Sequence, residues 1–494
     1  MTSTARGHDR PPLPARLAGA VWGHLVGDAL GVPYEFRDAS AIGTVQWGAT
    51  GSHHQPPGTW SDDGALMLAL LDSLLEAGFD PEDQGRRARA WRERGAYAAG
   101  GTVFDIGNAT RAALDTLAAG VPAVDAGPSG ERDCGNGSLM RILPLALVER
   151  DVPDARLVDM AHLASRVTHG HPRCQVACAL YSFVARRILA GARHRADAQA
   201  DARAALRATY QRQGSGGHLA ALDELEAWPG RGGRGYVIDS LWSAWDAFAG
   251  ATGYQDAVTR AVRYGADTDT TAAIAGGLAG AWFGVDDIPA EWRAGMRDPG
   301  IVRPLVDGLI ATDPAGGWRT SAASPLRVDQ VETGSTAELP GRIGITFLPG
   351  KRSAGMAGHH WRDLDADLER IRRWGDTLLL LVEDHELLEA GVPDIAAAAV
   401  RHGITLVRFP IPDPHVPRDV PAYRAVVRDM VERLHGGRSI VVACRGGIDR
   451  SGMTVACILR ELGLDADTAI ARTQAGRKGS ITRSEQQALV RAWA

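Results

Sequence analysis

Lysine is nearly absent from this sequence. Of 494 residues only Lys351 and Lys478 are lysines, so the positive charge is almost all arginine. The arginines are spread along the chain, and the net charge is −5, which excludes a general electrostatic grip on nucleic acid or acidic membranes. Cysteine is scarce too. Cys134, Cys174, Cys178, Cys444 and Cys457 form neither a disulfide framework nor paired Cys-x-x-Cys zinc ligands, which suits a reducing compartment. Long apolar runs are missing: the stretch from Ala272 to Val285 is too short and glycine-rich to span a bilayer. The opening residues, MTSTARGHDRPPLP, contain no apolar segment for a signal peptide or lipid anchor. A cytoplasmic, soluble protein without a nucleic-acid or membrane partner is expected.

What is present is enough for large cores. The hydrophobic fraction is 45% and the charged fraction 23%, ordinary for globular chains, and the length exceeds what one core usually serves. From about residue 14 to 311 helical patterns follow one another, broken by Gly and Pro, with almost no period-2 alternation. Leu66, Leu70, Leu71 and Leu74 recur at helical spacing behind Asp62 and Asp63, which places that acidic pair at a helix N-terminus. Residues 312–324, TDPAGGWRTSAAS, lose all periodicity. We therefore expect one domain over 1–318, a linker at 319–324 and a second domain over 325–494. In the second, β-branched runs at Ile343–Leu348, Thr377–Val382, Ile404–Ile411 and Ser439–Ala443 alternate with amphipathic helices, which predicts an α/β domain with a largely parallel sheet.

Three acidic clusters punctuate the helical region: Gly27-Asp28-Ala29-Leu30-Gly31, Ser61-Asp62-Asp63-Gly64 and Gly265-Ala266-Asp267-Thr268-Asp269-Thr270-Thr271. Each one alone is readable as a helix cap. Together, hard oxygen donors without Cys or His suit two Mg²⁺ ions, or Mn²⁺, rather than zinc. Adjacent His53 and His54 have no third ligand at helical spacing and are expected to be exposed loop residues.

The strings GHLVGDALGVPYE (23–35), WSDDGALM (60–67) and GADTDTT (265–271), with Asp105-Ile-Gly-Asn108, Gly135-Asn-Gly-Ser-Leu-Met-Arg141 and Thr168-His-Gly-His-Pro172 between them, resemble the ADP-ribosylglycohydrolase family in content and order. The resemblance implies an all-α domain that releases ADP-ribose from a protein or small molecule by cleaving an N- or O-glycosidic bond. It implies two Mg²⁺-type ions held by Ser61, Asp62, Asp63, Asp267, Asp269 and Thr270, with Ser61 replacing the more usual threonine. Glu35 or Asp105 is then the proton acceptor. Gly135, Asn136, Gly137 and Ser138 offer backbone N–H groups to a pyrophosphate, and His169 lines the ribose pocket or, alternatively, is a buried histidine between helices.

In the second region, Ser439-Ile-Val-Val-Ala-Cys444 leads through Arg-Gly446-Gly447-Ile-Asp-Arg450-Ser451-Gly452 into the helical pattern Met453–Leu462. Such a strand–loop–helix wraps N–H groups around a phosphate and favours a thiolate. The closing Lys-Ser/Thr of a Walker A loop is absent. The segment resembles the signature loop of tyrosine and dual-specificity phosphatases, in the branch of cyclin-dependent kinase inhibitor 3, supported by Thr346-Phe-Leu-Pro-Gly-Lys351 and Phe409-Pro-Ile-Pro-Asp413. It implies an α/β cysteine-phosphatase domain without a metal, acting on a phosphorylated substrate that the sequence does not identify. Cys444 is then the nucleophile, Arg450 the phosphate clamp, Asp413 the general acid and Ser451 a helper for the departing thiolate, with Gly446 and Gly447 in the cradle. Gln486 or Gln487 would orient water. The family usually has histidine where Ala443 stands, which implies weaker activation of the thiol. Ala443 and Ser61 keep open a second reading, a regulatory protein that binds ADP-ribose or phosphate without turnover. Cys457 is read as a core residue.

Overall fold

The computed structural model describes residues 10–313, 317–334, 339–355 and 358–493; the expectation about a leader falls largely on residues 1–9, outside them. The chain divides into two compact units between Thr312 and Asp313. The stretch expected as a linker, 319–324, belongs to the second unit. It is tied into that unit: the Arg319 backbone N–H donates to the His359 carbonyl at 2.8 Å, and the Ser321 hydroxyl to Asp367 at 3.0 Å.

Among its described residues the first unit contains helices and no strand longer than an isolated bridge. Its centre is the opening helix, Leu13–Gly31, against a second buried helix, Thr268–Phe283. Gly19, Gly23, Gly27 and Gly31 recur every four residues and so share one face of the opening helix. A Cβ at Gly23 would lie 2.4 Å from the Gly276 carbonyl oxygen, and one at Gly280 would lie 1.8 Å from that of Gly19. Backbone therefore touches backbone, with no room for a side chain. The helix Asp62–Glu76 starts where expected: Ser61 caps it, its hydroxyl accepting from the Asp63 N–H at 3.2 Å, and Leu66, Leu70, Leu71 and Leu74 are buried.

In the second unit a five-stranded sheet runs in the order β1 (Asp329–Val331), β2 (Ile343–Phe347), β7 (Ile440–Cys444), β5 (Thr377–Leu380), β6 (Thr405–Arg408). β1 is antiparallel and the other pairings are parallel. A separate hairpin joins β3 (Arg352–Gly355) to β4 (Gly358–Trp361). Alternate residues of β7 enter opposite apolar clusters: Ile440, Val442 and Cys444 pack with the helices Val420–His435 and Asp449–Glu461, while Val441 and Ala443 pack with Leu364–Trp374 and Ile395–Arg401. Cys457 is fully buried in the first of these clusters. No described helix is long and apolar enough to cross a membrane.

Candidate active sites

The first unit contains a cavity of about 310 Å³ lined by Glu35, Asp62, Asp63, Asp105, Asn136, Gly137, His169, Asp267 and Thr270, together with Gly135. The acidic residues come from distant segments. The Asp62–Glu76 helix presents Asp62 and Asp63 at its first turn, and Asp267 precedes the helix that carries Asp269 and Thr270. The Thr270 hydroxyl donates to Asp63 at 3.1 Å, and the Ser61 hydroxyl to the same carboxylate at 3.3 Å. Carboxylate oxygens of Glu35, Asp267 and Asp269 lie within 4.8 Å of one another. Ser61 and Asp269 stand just behind the lining.

Electrostatically this cluster is out of balance. Among the described residues no Lys or Arg pairs with Asp62, Asp63, Asp267 or Asp269, and the buried Asp63 Oδ1 and Asp269 Oδ2 have no hydrogen-bond partner. Burial, then repulsion from Asp105, Asp267 and Asp62, pushes the Glu35 carboxyl up to about 10. Asp62, Asp63 and Asp269 are raised too, by burial and by their acidic neighbours. Like charges so placed ionise together only with a cation among them, so the donor set fits hard divalent ions.

Asp28, by contrast, realises the capping alternative. Its carboxylate accepts from the backbone N–H of Ser61 at 3.0 Å and of Gly64 at 2.8 Å, away from the cavity. Asn136 donates to Asp267 at 2.8 Å and to the Ser240 hydroxyl at 2.9 Å, so it braces a carboxylate as well as lining the cavity. A Cβ at Gly137 would lie 2.8 Å from the His169 ring, which explains glycine there. His169 is buried, its Nδ1 is 2.9 Å from the Thr168 hydroxyl, and burial followed by Arg141 lowers it to about 3, so the ring is neutral. Ser138 does not reach the cavity: its hydroxyl is turned into the helical packing, accepting from Ser165 at 3.0 Å and from Cys178 at 3.4 Å.

His53 departs from expectation. Instead of lying exposed it is mostly buried, its Nε2 in contact with the Glu35 carboxylate and its ring between Phe36 and Phe104. Ligand atoms of Glu35, His53 and Asp105 also lie within 4.8 Å of one another. Helical spacing gave no signal for it, because its partner is reached through an irregular loop.

The second unit contains a cavity of about 1040 Å³, lined among others by Asp413, Cys444, Gly446 and Arg450. β7 delivers Cys444, opposite Phe347 of β2, and the helix Asp449–Glu461 carries Arg450 and Ser451. Gly447 turns the loop at φ 62°, where a Cβ would meet the Thr346 backbone at 2.4 Å. Arg450 is gripped by Glu386 through two hydrogen bonds, of 2.7 and 2.8 Å, donates to the Ile411 carbonyl at 2.8 Å, and lies 3.2 Å from Asp413. Burial opposes the charge on Glu386, but hydrogen bonds from Arg450 and the Glu383 backbone hold its carboxyl below the usual range. Ser451 is buried and its hydroxyl has no partner. Arg477 clasps the loop from outside, donating to the Gly447 carbonyl at 2.9 Å. Nothing in the sequence marks Glu386 or Arg477 as site residues. Neither glutamine lines the cavity: the Gln486 amide donates to the Pro414 carbonyl at 3.0 Å, and Gln487 to that of Ile481 at 2.9 Å. Ala443, before the cysteine, faces the apolar cluster with Leu380 and Leu387.

Comparison with known proteins agrees with both halves. The ADP-ribosylglycohydrolase family matches residues 9–318, and the tyrosine phosphatase family matches residues 410–487. An ADP-ribosylarginine hydrolase Tri1 of Pseudomonas putida is 32% identical over 285 residues, covering 56% of this chain and 73% of the relative. A solved ADP-ribosylglycohydrolase-related protein complex superposes with TM-score 0.50 at 34% identity, covering 61% of this chain and 98% of that one. A kinase associated phosphatase aligns at TM-score 0.31 and 20% identity, over 34% of this chain and 93% of its own. The chain belongs to the ADP-ribosylglycohydrolase family, and its C-terminal domain is a member of the tyrosine phosphatase family.

Proposed function

We propose that the first unit hydrolyses an ADP-ribosyl N- or O-glycosidic bond with Mg²⁺ or Mn²⁺, and that the second hydrolyses a phosphomonoester through Cys444. The observation that carries the first half is the unbalanced carboxylate cluster around one cavity. Ser61, Asp62, Asp63, Asp267, Asp269 and Thr270 would hold two ions. When bound, these supply positive charge to vicinal ribose hydroxyls and make water more acidic. Asn136 keeps Asp267 in place, and Gly135 and Gly137 leave backbone open to a pyrophosphate. His169, neutral, lines the ribose side. Glu35 or Asp105 accepts the proton of the attacking water, with His53 against Glu35 on the other side. The name of the Pseudomonas putida relative supports an arginine-linked substrate, so the N-glycosidic bond is the first to assay. With ADP-ribosylated arginine as substrate, Asp62→Ala and Asp267→Ala should each lower release at least about a hundredfold, an effect of the size known for lost charge stabilisation. Undiminished release would refute the ligand assignment.

In the second unit the Cys444 thiolate attacks phosphorus, the ester oxygen leaves with a proton from Asp413, and water then cleaves the phosphocysteine. Arg450 holds two of the phosphate oxygens. Ser451, whose buried hydroxyl has no other partner, donates to the departing sulfur. Cys444→Ser should abolish turnover of an aryl phosphate. Ala443, in an apolar setting, favours a second reading for this half, phosphate binding without turnover. Binding of phosphate by the wild type with no hydrolysis of any monoester would select it.

A further inference from the structure

We propose that the second cavity takes a phosphomonoester bearing a second phosphate on the same molecule, with Lys351, Arg319 and His360 receiving the second phosphate. This deepens the phosphatase reading and depends on it for turnover, though not for binding.

Several cations line this cavity, and most are already answered. Arg450 has Glu386 and Asp413; Arg445 pairs with Glu389 at 2.8 Å, Arg327 with Asp329 at 2.6 Å, and Arg483 lies 3.7 Å from Asp449. Arg477 also pairs with Asp329. The side chains of Lys351 and Arg319 form no ion pair or hydrogen bond among the described residues, yet both line the cavity. Lys351 is only 8% exposed. A buried ammonium without a carboxylate is costly unless an anion comes to it.

The wall that carries these groups is built, not loose. The Gly350 N–H donates to Asp367 at 2.9 Å, and Asp367 is locked by Arg362 through bonds of 2.7 and 2.8 Å with both side chains buried. The Lys351 carbonyl accepts from the Arg362 N–H at 3.3 Å. Arg319 bridges to His360 on β4, and the His360 ring packs 5.5 Å from that of Phe347. His360 Nδ1 is buried and has no partner. Burial, then Lys351, Arg362 and Arg319, lowers the His360 imidazole to about 4 against the opposing pull of Asp367, which Arg362 already holds. Burial and then Arg445 lower the Lys351 ammonium, with Cys444 acting the other way. At about 1040 Å³ the cavity holds a whole small ligand rather than one phosphate group.

The test is calorimetry on the full-length Cys444→Ser protein, with inorganic phosphate, adenosine 3′,5′-bisphosphate, a soluble inositol bisphosphate, phosphatidylinositol phosphate in phosphatidylcholine vesicles, and a singly phosphorylated tyrosine peptide. At least one ligand with a second phosphate should bind about tenfold or more tightly than inorganic phosphate, as a further charge-assisted contact warrants. Preference for a soluble bisphosphate or for the vesicle separates a free metabolite from a lipid headgroup; either supports the proposal. In the same background Lys351→Met and, independently, Arg319→Ala should remove most of that advantage. Equal affinity for phosphate and bisphosphates, tightest binding of the tyrosine peptide, or an advantage untouched by either folded variant overturns it. Bisphosphate binding without turnover by the wild type would sink the phosphatase reading and leave this one standing.

Discussion

At the scale of single residues, the two cavities treat their central charged groups in opposite ways. The first gathers carboxylates and leaves them unanswered; the second surrounds Arg450 with answers. Glu386 is the chief of these, and we expect its loss to be costly. Removing one partner of a buried ion pair strands the other, so Glu386→Ala should destabilise the second unit by about 3–5 kcal/mol in chemical denaturation. Arg450 would lose its orientation, and phosphatase kcat/KM should fall about a hundredfold, with Glu386→Gln falling less. The pH dependence has a definite sign. The folded-state carboxyl of Glu386 lies below its ordinary value of 4.5, so its contribution is present above pH 4.5 and fades as pH falls through the folded value. Unfolding of the wild type across pH 3–6 should show that loss, and Glu386→Ala should lack it. Asp62, Asp63, Asp267 and Asp269 were legible in the sequence because each sits in a short local pattern of acid, hydroxyl and glycine. Glu386 and His53 were not. Their partners, Arg450 and Glu35, lie 64 and 18 residues away in the chain, and nothing local marks such pairs.

Elements were legible in proportion to their regularity. The four expected strands fell on β2, β5, β6 and β7; the β-branched and leucine-rich runs of β2, β5 and β7 are buried on both faces, while β6 at the sheet edge is half-buried. β1, β3 and β4 escaped because Asp-Gln-Val, Arg-Ser-Ala-Gly and Gly-His-His-Trp carry neither alternation nor β propensity, and tertiary contacts make them strands. The stretch at 319–324 lacks periodicity for a similar reason: hydroxyls and amides in it, such as those of Ser321 and Arg319, are paired within the fold. Helix contact in the first unit is set by glycine, which sharpens a test. Gly280→Ala would drive a methyl into the Gly19 carbonyl and should destabilise by about 3 kcal/mol or more. Gly300→Ala, also helical but with open space around its Cβ position, should change stability by less than about 1 kcal/mol. Denaturant midpoints of the two variants decide between backbone contact and mere helix propensity.

Across the whole molecule, two cores imply two separately addressable stabilities. The first depends on pH through its crowded acids. The Glu35 carboxyl, at about 10, and those of Asp62, Asp63 and Asp269 are raised, so without a cation the fold keeps their protons while the unfolded chain releases them above about pH 4. Stability of the cation-free unit should therefore decline from about pH 5 to 8. Mg²⁺ should raise its melting temperature, and more at pH 8 than at pH 5. Scanning calorimetry with EDTA and with Mg²⁺ reads this directly, and the transition of the second unit should stay in place. A first transition indifferent to Mg²⁺ at both pH values would count against cation binding.

The glycine-lined contact between the opening helix and the helix Thr268–Phe283 also has a consequence for biosynthesis. Asp62 and Asp63 leave the ribosome about two hundred residues before Asp267 and Asp269, and the surface that receives the opening helix emerges later still. An apolar helix must therefore wait for its main partner through most of the synthesis of its own unit. Contacts so distant in sequence close slowly. Nascent chains that stop short of residue 267 should carry Asp62 and Asp63 without Asp267 and Asp269, no glycine-lined seat for the opening helix, and a standing need for chaperones.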